Sequence, residues 1–214
     1  MHHKLGARDL EPEVYQFFSQ QQSSSRNRFE YEQLGLEPGW VRWQGIRARR
    51  VVFCEGHRVG RNPWFTNVGL NPVKGEILTI TSQKQLTSDI INKGQWILPL
   101  DKDCYKLGAT YARDSQCQVS STGRKQLLGI LQKIFVEPAV VQIEAQHVGI
   151  RPASMDRKHI LGLHPEFPQL VIFNGFGSKG SLMIPSCAKL MTAFIRGSAA
   201  IPAEMDVARF YSRQ

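Results

Sequence analysis

The chain has 214 residues, 42% of them hydrophobic and 21% charged, with 27 Lys+Arg against 18 Asp+Glu and a net charge of +9. This is an ordinary globular composition, long enough for one large or two small domains, and it excludes collagen, coiled coil and low-complexity chains. No apolar run approaches the roughly 18 residues of a membrane span, and the opening MHHKLGARDLEP lacks the apolar stretch of a secretory signal.

Leu10 to Gln22 is expected to be a helix, with Val14, Phe17 and Phe18 at helical spacing, broken by Ser23-Ser24-Ser25. Phe29 to Leu34 reads as a short strand. Trp40–Trp43 and Val51–Cys54 read as strands around a Gln44-Gly45 turn, and 57–71 as a Gly/Asn/Pro-rich loop carrying Trp64 and Phe65. Val73 to Thr81 alternates like a strand. Trp96–Leu100 and Cys104–Thr110 look like a hairpin around Asp101-Lys102-Asp103. Ser120–Phe135 predicts an amphipathic helix, stopped by Pro138. Val140–Val148 and the wholly apolar Leu170–Phe173 read as strands. Ser181–Arg196 reads as a helix ended by Gly197. The tail after Pro202 carries no periodic signal. The order predicts an α+β fold with a mixed or antiparallel sheet.

The basic surplus suits anionic ligands in general. Its one dense cluster, Arg47-Ala48-Arg49-Arg50, leads straight into apolar Val51-Val52-Phe53. That is the pattern of solvated residues at the start of a strand, not of a nucleic-acid stripe. Cys54, Cys104, Cys117 and Cys187 stand without a CxxC pair. They predict free thiols, no metal site and a reducing, cytoplasmic setting.

Gly175-Phe176-Gly177-Ser178-Lys179-Gly180 has the spacing of a dinucleotide fingerprint. Only 34 residues follow Gly180, and none reads as the second parallel strand that such a fingerprint requires. What remains is a strand–turn–helix joint. Its glycines admit a close ligand, and its helix start offers N–H groups to an oxygen that gathers negative charge. The edge of a flavin ring has that character. Tight packing is the simpler alternative for the motif taken alone.

The motif has company. Gly149-Ile150-Arg151-Pro152, Asp156 and Ile160-Leu161-Gly162 precede it. Upstream lie Val51-Val52-Phe53-Cys54-Glu55-Gly56, Pro72-Val73-Lys74-Gly75-Glu76 and Tyr105-Lys106-Leu107-Gly108-Ala109-Thr110-Tyr111, and Asp206, Arg209 and Phe210 close the series. In this order, from about Phe29 to Phe210, they resemble the C-terminal portion of the FAD-dependent D-amino-acid oxidase/glycine oxidase superfamily. Two departures stand out. The family's opening dinucleotide fingerprint is missing, and His159 stands where the family often has Pro.

The resemblance implies a mixed or antiparallel substrate sheet joined to the C-terminal part of an FAD-binding α/β domain whose N-terminal Rossmann unit is missing. It divides the chain into a partial FAD-binding segment (1–71), a substrate-binding sheet domain (72–148) and a flavin-contacting segment (149–214). It implies FAD as cofactor and hydride transfer to the flavin from a carboxylate-bearing amino acid or 2-hydroxy acid. Arg151 is the candidate catalytic residue, gripping the carboxylate bidentately; a structural pair with Asp156 is its alternative. Gly175, Gly177, Ser178, Lys179, Gly180 and Ser181 would line the ring, with Glu55, Gly56 and Arg151 also at the cofactor. Trp96 and Tyr105 are candidates for pocket walls or for core. The partners implied are a small carboxylate-bearing substrate and a second chain or copy, without nucleic acid or a membrane span. The rival expectation is an inactive remnant, or a subunit whose Rossmann domain comes from another chain.

Overall fold

A computed structural model describes residues 28–113, 116–135 and 139–211, and in it the described chain is a mixed α/β fold with three sheets and two α-helices. The expected helix at 10–22 and Pro138 lie outside the described residues.

Strands β1 (Gly35–Glu37), β2 (Trp40–Trp43) and β3 (Ile46–Ala48) form a small antiparallel meander. The Gln44-Gly45 turn therefore joins β2 to β3, and not to β4 (Val51–Phe53). The expected strand at Phe29–Leu34 is instead a 3-10 turn over Tyr31–Gln33. Leu34 closes the turn by donating its N–H to Tyr31 O at 3.0 Å, and in that bend Phe29 stacks on Trp43 at 5.2 Å while Tyr31 meets Trp64 edge-on.

The long β5 (Val73–Ser82) anchors a five-stranded antiparallel sheet with β6 (Ile91–Lys93), β7 (Gln95–Asp101), β8 (Cys104–Gly108) and β9 (Val141–Arg151), in the order β6-β7-β8-β5-β9. The β7–β8 hairpin turns where Asp101-Lys102-Asp103 predicts it. Leu78 and Ile80 point to one face and are sealed there by helix α1 (Ser121–Ile134). Helix α1 begins where Ser120 Oγ accepts the Gly123 N–H at 2.9 Å. Its Leu127, Ile130 and Leu131 fall at i, i+3 and i+4 and are buried, each stabilising the layer by about 1.5–3 kcal/mol.

The third sheet is mixed, with β10 (Ile160–Leu163) antiparallel to β11 (Leu170–Asn174) and β11 parallel to β4. Segments on either side of 72–148 thus share one sheet. Helix α2 (Gly180–Ile195) covers it through Cys187 and Met191, which pack with Leu161, Val171 and Phe176. Gly197, at φ +77°, ends the helix. The tail adds a 3-10 turn, Val207–Phe210, capped by the Asp206 carboxylate on Ala208 N.

All four cysteines are free. Among the described residues no group of His, Cys, Asp or Glu is arranged for a metal ion. No described helix is long and apolar enough to cross a membrane.

Candidate functional site

The last residue of β9 brings the five-stranded sheet to the glycine turn. After Arg151 the backbone folds against that turn: Gly177 donates its N–H to Pro152 O at 3.1 Å, and Ala153 bridges to Phe176. Between them lies a cavity of about 380 Å³ whose walls include Arg151, Tyr111, His159 and the stretch Gly175–Lys179.

Arg151 is half-buried and held from below. Its Nη1 donates to Lys74 O at 3.3 Å and Thr110 O at 3.1 Å. Among the described residues Nη2 and Nε make no hydrogen bond. Gly75 lies directly beneath; a Cβ there would collide with the guanidinium. Tyr111 flanks it at 5.9 Å. Burial pulls the Arg151 pKa below the usual guanidinium value, while Tyr111 opposes that shift, and the group stays charged at neutral pH. The alternative pairing with Asp156 is not formed. Asp156 binds Arg209 Nε at 2.9 Å instead.

The glycine turn is braced from two sides. Gly175 has φ +78°, and a Cβ there would sit 2.9 Å from Ile160 N, so only glycine fits against β10. Asn174 Oδ1 accepts the Gly175 N–H at 2.8 Å, and its Nδ2 donates to Gly56 O at 2.9 Å. Gly177, at φ +53°, completes the bend. A 3-10 turn, Gly177–Lys179, precedes helix α2, which begins at Gly180 without a side-chain cap.

The structure brings Arg151, Gly175, Gly177, Ser178 and Lys179 to one cavity. Gly180 and Ser181 lie just behind it, in the first turn of α2, and are not among its walls. Gly56 touches the site indirectly, through Asn174 and Pro152. Glu55 is turned to the aromatic core, where its carboxylate accepts from Tyr31 OH and from Asn62 Nδ2. That engagement holds the Tyr31 hydroxyl far above the usual phenol range, burial and the Glu55 bond both raising it. Tyr105 is core: fully buried, with its hydroxyl donating to Lys102 O and accepting from Leu86 N. Trp96 lies over Gly108 on the sheet and is not among the cavity walls.

One contributor had no chemical signal in the sequence. His159 lies in the cavity wall, tilted on Phe176 at 5.0 Å, and its Nδ1 is buried without a hydrogen-bond partner.

These residues fit a flavin ring. Two glycines with positive φ let a flat molecule approach the backbone. Among the described residues the walls hold cations and no carboxylate, which suits a ring that gains negative charge on reduction.

Comparison with known proteins points the same way. The profile of the family described as FAD dependent oxidoreductase matches residues 26–194. Glycine oxidase of Bacillus subtilis is 26% identical over 157 residues, which cover 70% of this chain and 42% of that protein. The structure of glycine oxidase from Geobacillus kaustophilus superposes with a TM-score of 0.64 at 26% identity, over 80% of this chain and 47% of that one. Iminodiacetate oxidase from Chelativorans sp. BNC1 shares the fold with a TM-score of 0.77 at 23% identity, over 92% of this chain and 57% of that one. The chain thus spans less than half the length of the Bacillus glycine oxidase.

Proposed function

We propose a function that proceeds from one premise: the chain belongs to the FAD dependent oxidoreductase family. In this reading the chain supplies the substrate sheet and the ring-contacting turn of an oxidase or dehydrogenase. Its substrate is a carboxylate-bearing amine or 2-hydroxy acid. When bound, FAD supplies the acceptor for the hydride that leaves the carbon beside the carboxylate.

The residues of this chain orient that carbon. Arg151 takes the carboxylate on its outward edge, and two backbone carbonyls keep the guanidinium from turning. Each charge-assisted bond to the carboxylate contributes about 1.5–3 kcal/mol. Gly175–Lys179 lie against the ring, and Lys179 places positive charge beside it. Among the described residues no carboxylate lines the cavity, consistent with chemistry that asks the protein mainly for position.

The diphosphate half of FAD is assigned to a dinucleotide-binding unit outside the described residues. Among those residues no parallel strand follows α2, so Gly175–Gly180 lacks the βαβ setting of a diphosphate loop. Segments 1–71 and 149–214 serve the flavin side and 72–148 the substrate side.

The observation that carries this reading is the shared cavity of Arg151 and the glycine turn. Anaerobic mixing of the FAD-loaded protein with amino acids and 2-hydroxy acids tests it. A carboxylate-bearing substrate is expected to bleach the flavin band, and its decarboxylated amine to leave it intact. A flavin that no carboxylate-bearing compound bleaches would overturn the reading.

A further inference from the structure

Resting on that reading, we infer that the substrate carries a second anionic group besides the carboxylate held by Arg151, and so belongs to the dicarboxylate amines or dicarboxylate hydroxy acids. The cavity walls carry four cations from four separate stretches: Arg113 after β8, Arg151 at the end of β9, Arg157 in the loop before β10 and Lys179 in the glycine turn. Among the described residues no acidic side chain lines the cavity. Among the described residues none of the four forms an ion pair.

One carboxylate on Arg151 leaves three positive charges around a space that a ring and a substrate would close off from water. Like charges in such a setting repel more strongly than in bulk solvent. A second carboxylate offsets that repulsion and adds charge-assisted hydrogen bonds.

Arg157 supplies an independent sign. It is one of two non-glycine residues among those described with positive φ, at +61°. Holding a non-glycine residue there costs about 1 kcal/mol or more. The loop is braced to keep it so. Arg157 N donates to Ser154 O at 3.2 Å, and Asp156 Oδ1 accepts Lys158 N at 3.0 Å. The acid next in sequence, Asp156, gives its carboxylate to Arg209 and leaves the Arg157 charge to the cavity. Arg157 and Lys179 are exposed at the rim, whereas Arg151 is half-buried below them. The long axis of a dicarboxylate would therefore run from the floor to the rim.

Calorimetric titration of the FAD-loaded protein with malonate and with acetate tests this without turnover, and oxidation of aspartate against asparagine and of glutamate against glutamine tests it with turnover. Malonate is expected to bind about 10- to 100-fold more tightly than acetate, and the acidic substrates to lead their amides in kcat/KM by a similar factor. Arg157→Gly suits the left-handed backbone and removes the charge. It is expected to collapse the malonate-to-acetate ratio toward one, and Lys179→Gln to narrow it. Equal binding of the two probes, or a ratio that survives Arg157→Gly and Lys179→Gln combined, would overturn the inference. Loss of FAD affinity in Arg157→Gly with the ratio intact would also overturn it, since the cation would then serve the cofactor. If acetate binds and monocarboxylate substrates bleach the flavin with no gain from a second carboxylate, the inference fails while the role of Arg151 stands. If neither probe binds, both fail.

Discussion

The two sheets that meet at the cavity are finished to different degrees. The five-stranded sheet closes its own core: Leu78, Ile80, Ile97, Tyr105 and Leu107 are fully buried under α1. Its one buried acid is fully engaged. Glu76, 2% exposed, accepts from Ser120 N at 2.8 Å, Ser120 Oγ at 2.7 Å and Gln146 Nε2 at 2.6 Å, and lies 3.4 Å from Lys74 Nζ. The mixed sheet differs. Leu182 and Ile184 of its helix are 74% and 41% exposed, Val52 on β4 is 40% exposed, and His159 Nδ1 in its cavity wall lacks a partner. One side is a rigid platform that aims Arg151. The other leaves apolar side chains exposed and one buried polar atom of a cavity-wall residue without a partner.

The contrast breaks most sharply at Glu76. Glu76→Ala removes the acceptor shared by Ser120 and Gln146 and the acidic neighbour of Lys74. It is expected to cost about 3–5 kcal/mol in urea unfolding, whereas loss within about 0.5 kcal/mol would mean that the platform does not depend on the network. Burial acts to raise the Glu76 pKa, but the bonds from Ser120 and Gln146 and the Lys74 charge outweigh it and hold the group below its ordinary 4.5. A depressed carboxylate stabilises the fold fully above the unfolded value and loses that contribution as pH falls through the folded value. Wild type and Glu76→Gln should therefore converge in stability in acid, below about pH 4.5, and stay apart at neutrality.

Gly175→Ala strikes the other side. The positive φ and the 2.9 Å approach to Ile160 N predict a cost of about 2–4 kcal/mol and weakened FAD binding. Unchanged flavin affinity in a folded variant would remove the turn from the cofactor site. Gly75→Ala separates aim from stability. Its Cβ displaces the Arg151 guanidinium and leaves the core under α1 untouched. A rise in substrate KM of about tenfold, with kcat and melting temperature nearly constant, is expected. A fall in stability without a change in KM would make Gly75 a packing residue only. Asp156→Asn should have the smallest effect, about 0.5 kcal/mol, because the pair with Arg209 is partly exposed.

Much of this arrangement was legible in the residues. The alternation of Val73–Ser82, the hairpin at Asp101–Asp103 and the Ser120 cap each state a local rule that the packing obeys. Arg151 and the glycine turn, which line one cavity, stand out in the sequence as short motifs with particular residue types at fixed offsets. Four strands went unread. Gly35–Glu37, Ile46–Ala48 and Ile91–Lys93 are three-residue edges, too short for an alternating pattern. Ile160–Leu163 is short, and Gly162 within it takes φ +122° under Asp206, a contact that only the tertiary fold supplies. For the same reason the bonds of Glu55 with Tyr31 and Asn62 could not be read from the residues around it. His159 became informative only once its Nδ1 was seen buried and alone.

The most direct measurement follows the flavin spectrum while acetate is added to the FAD-loaded protein and to its Arg151→Leu variant. A guanidinium that holds a carboxylate against the ring predicts a saturable spectral shift in the wild type, and an acetate affinity at least about 100-fold weaker in a variant that still carries flavin. The same shift with the same affinity in both proteins would place the carboxylate elsewhere and contradict the account.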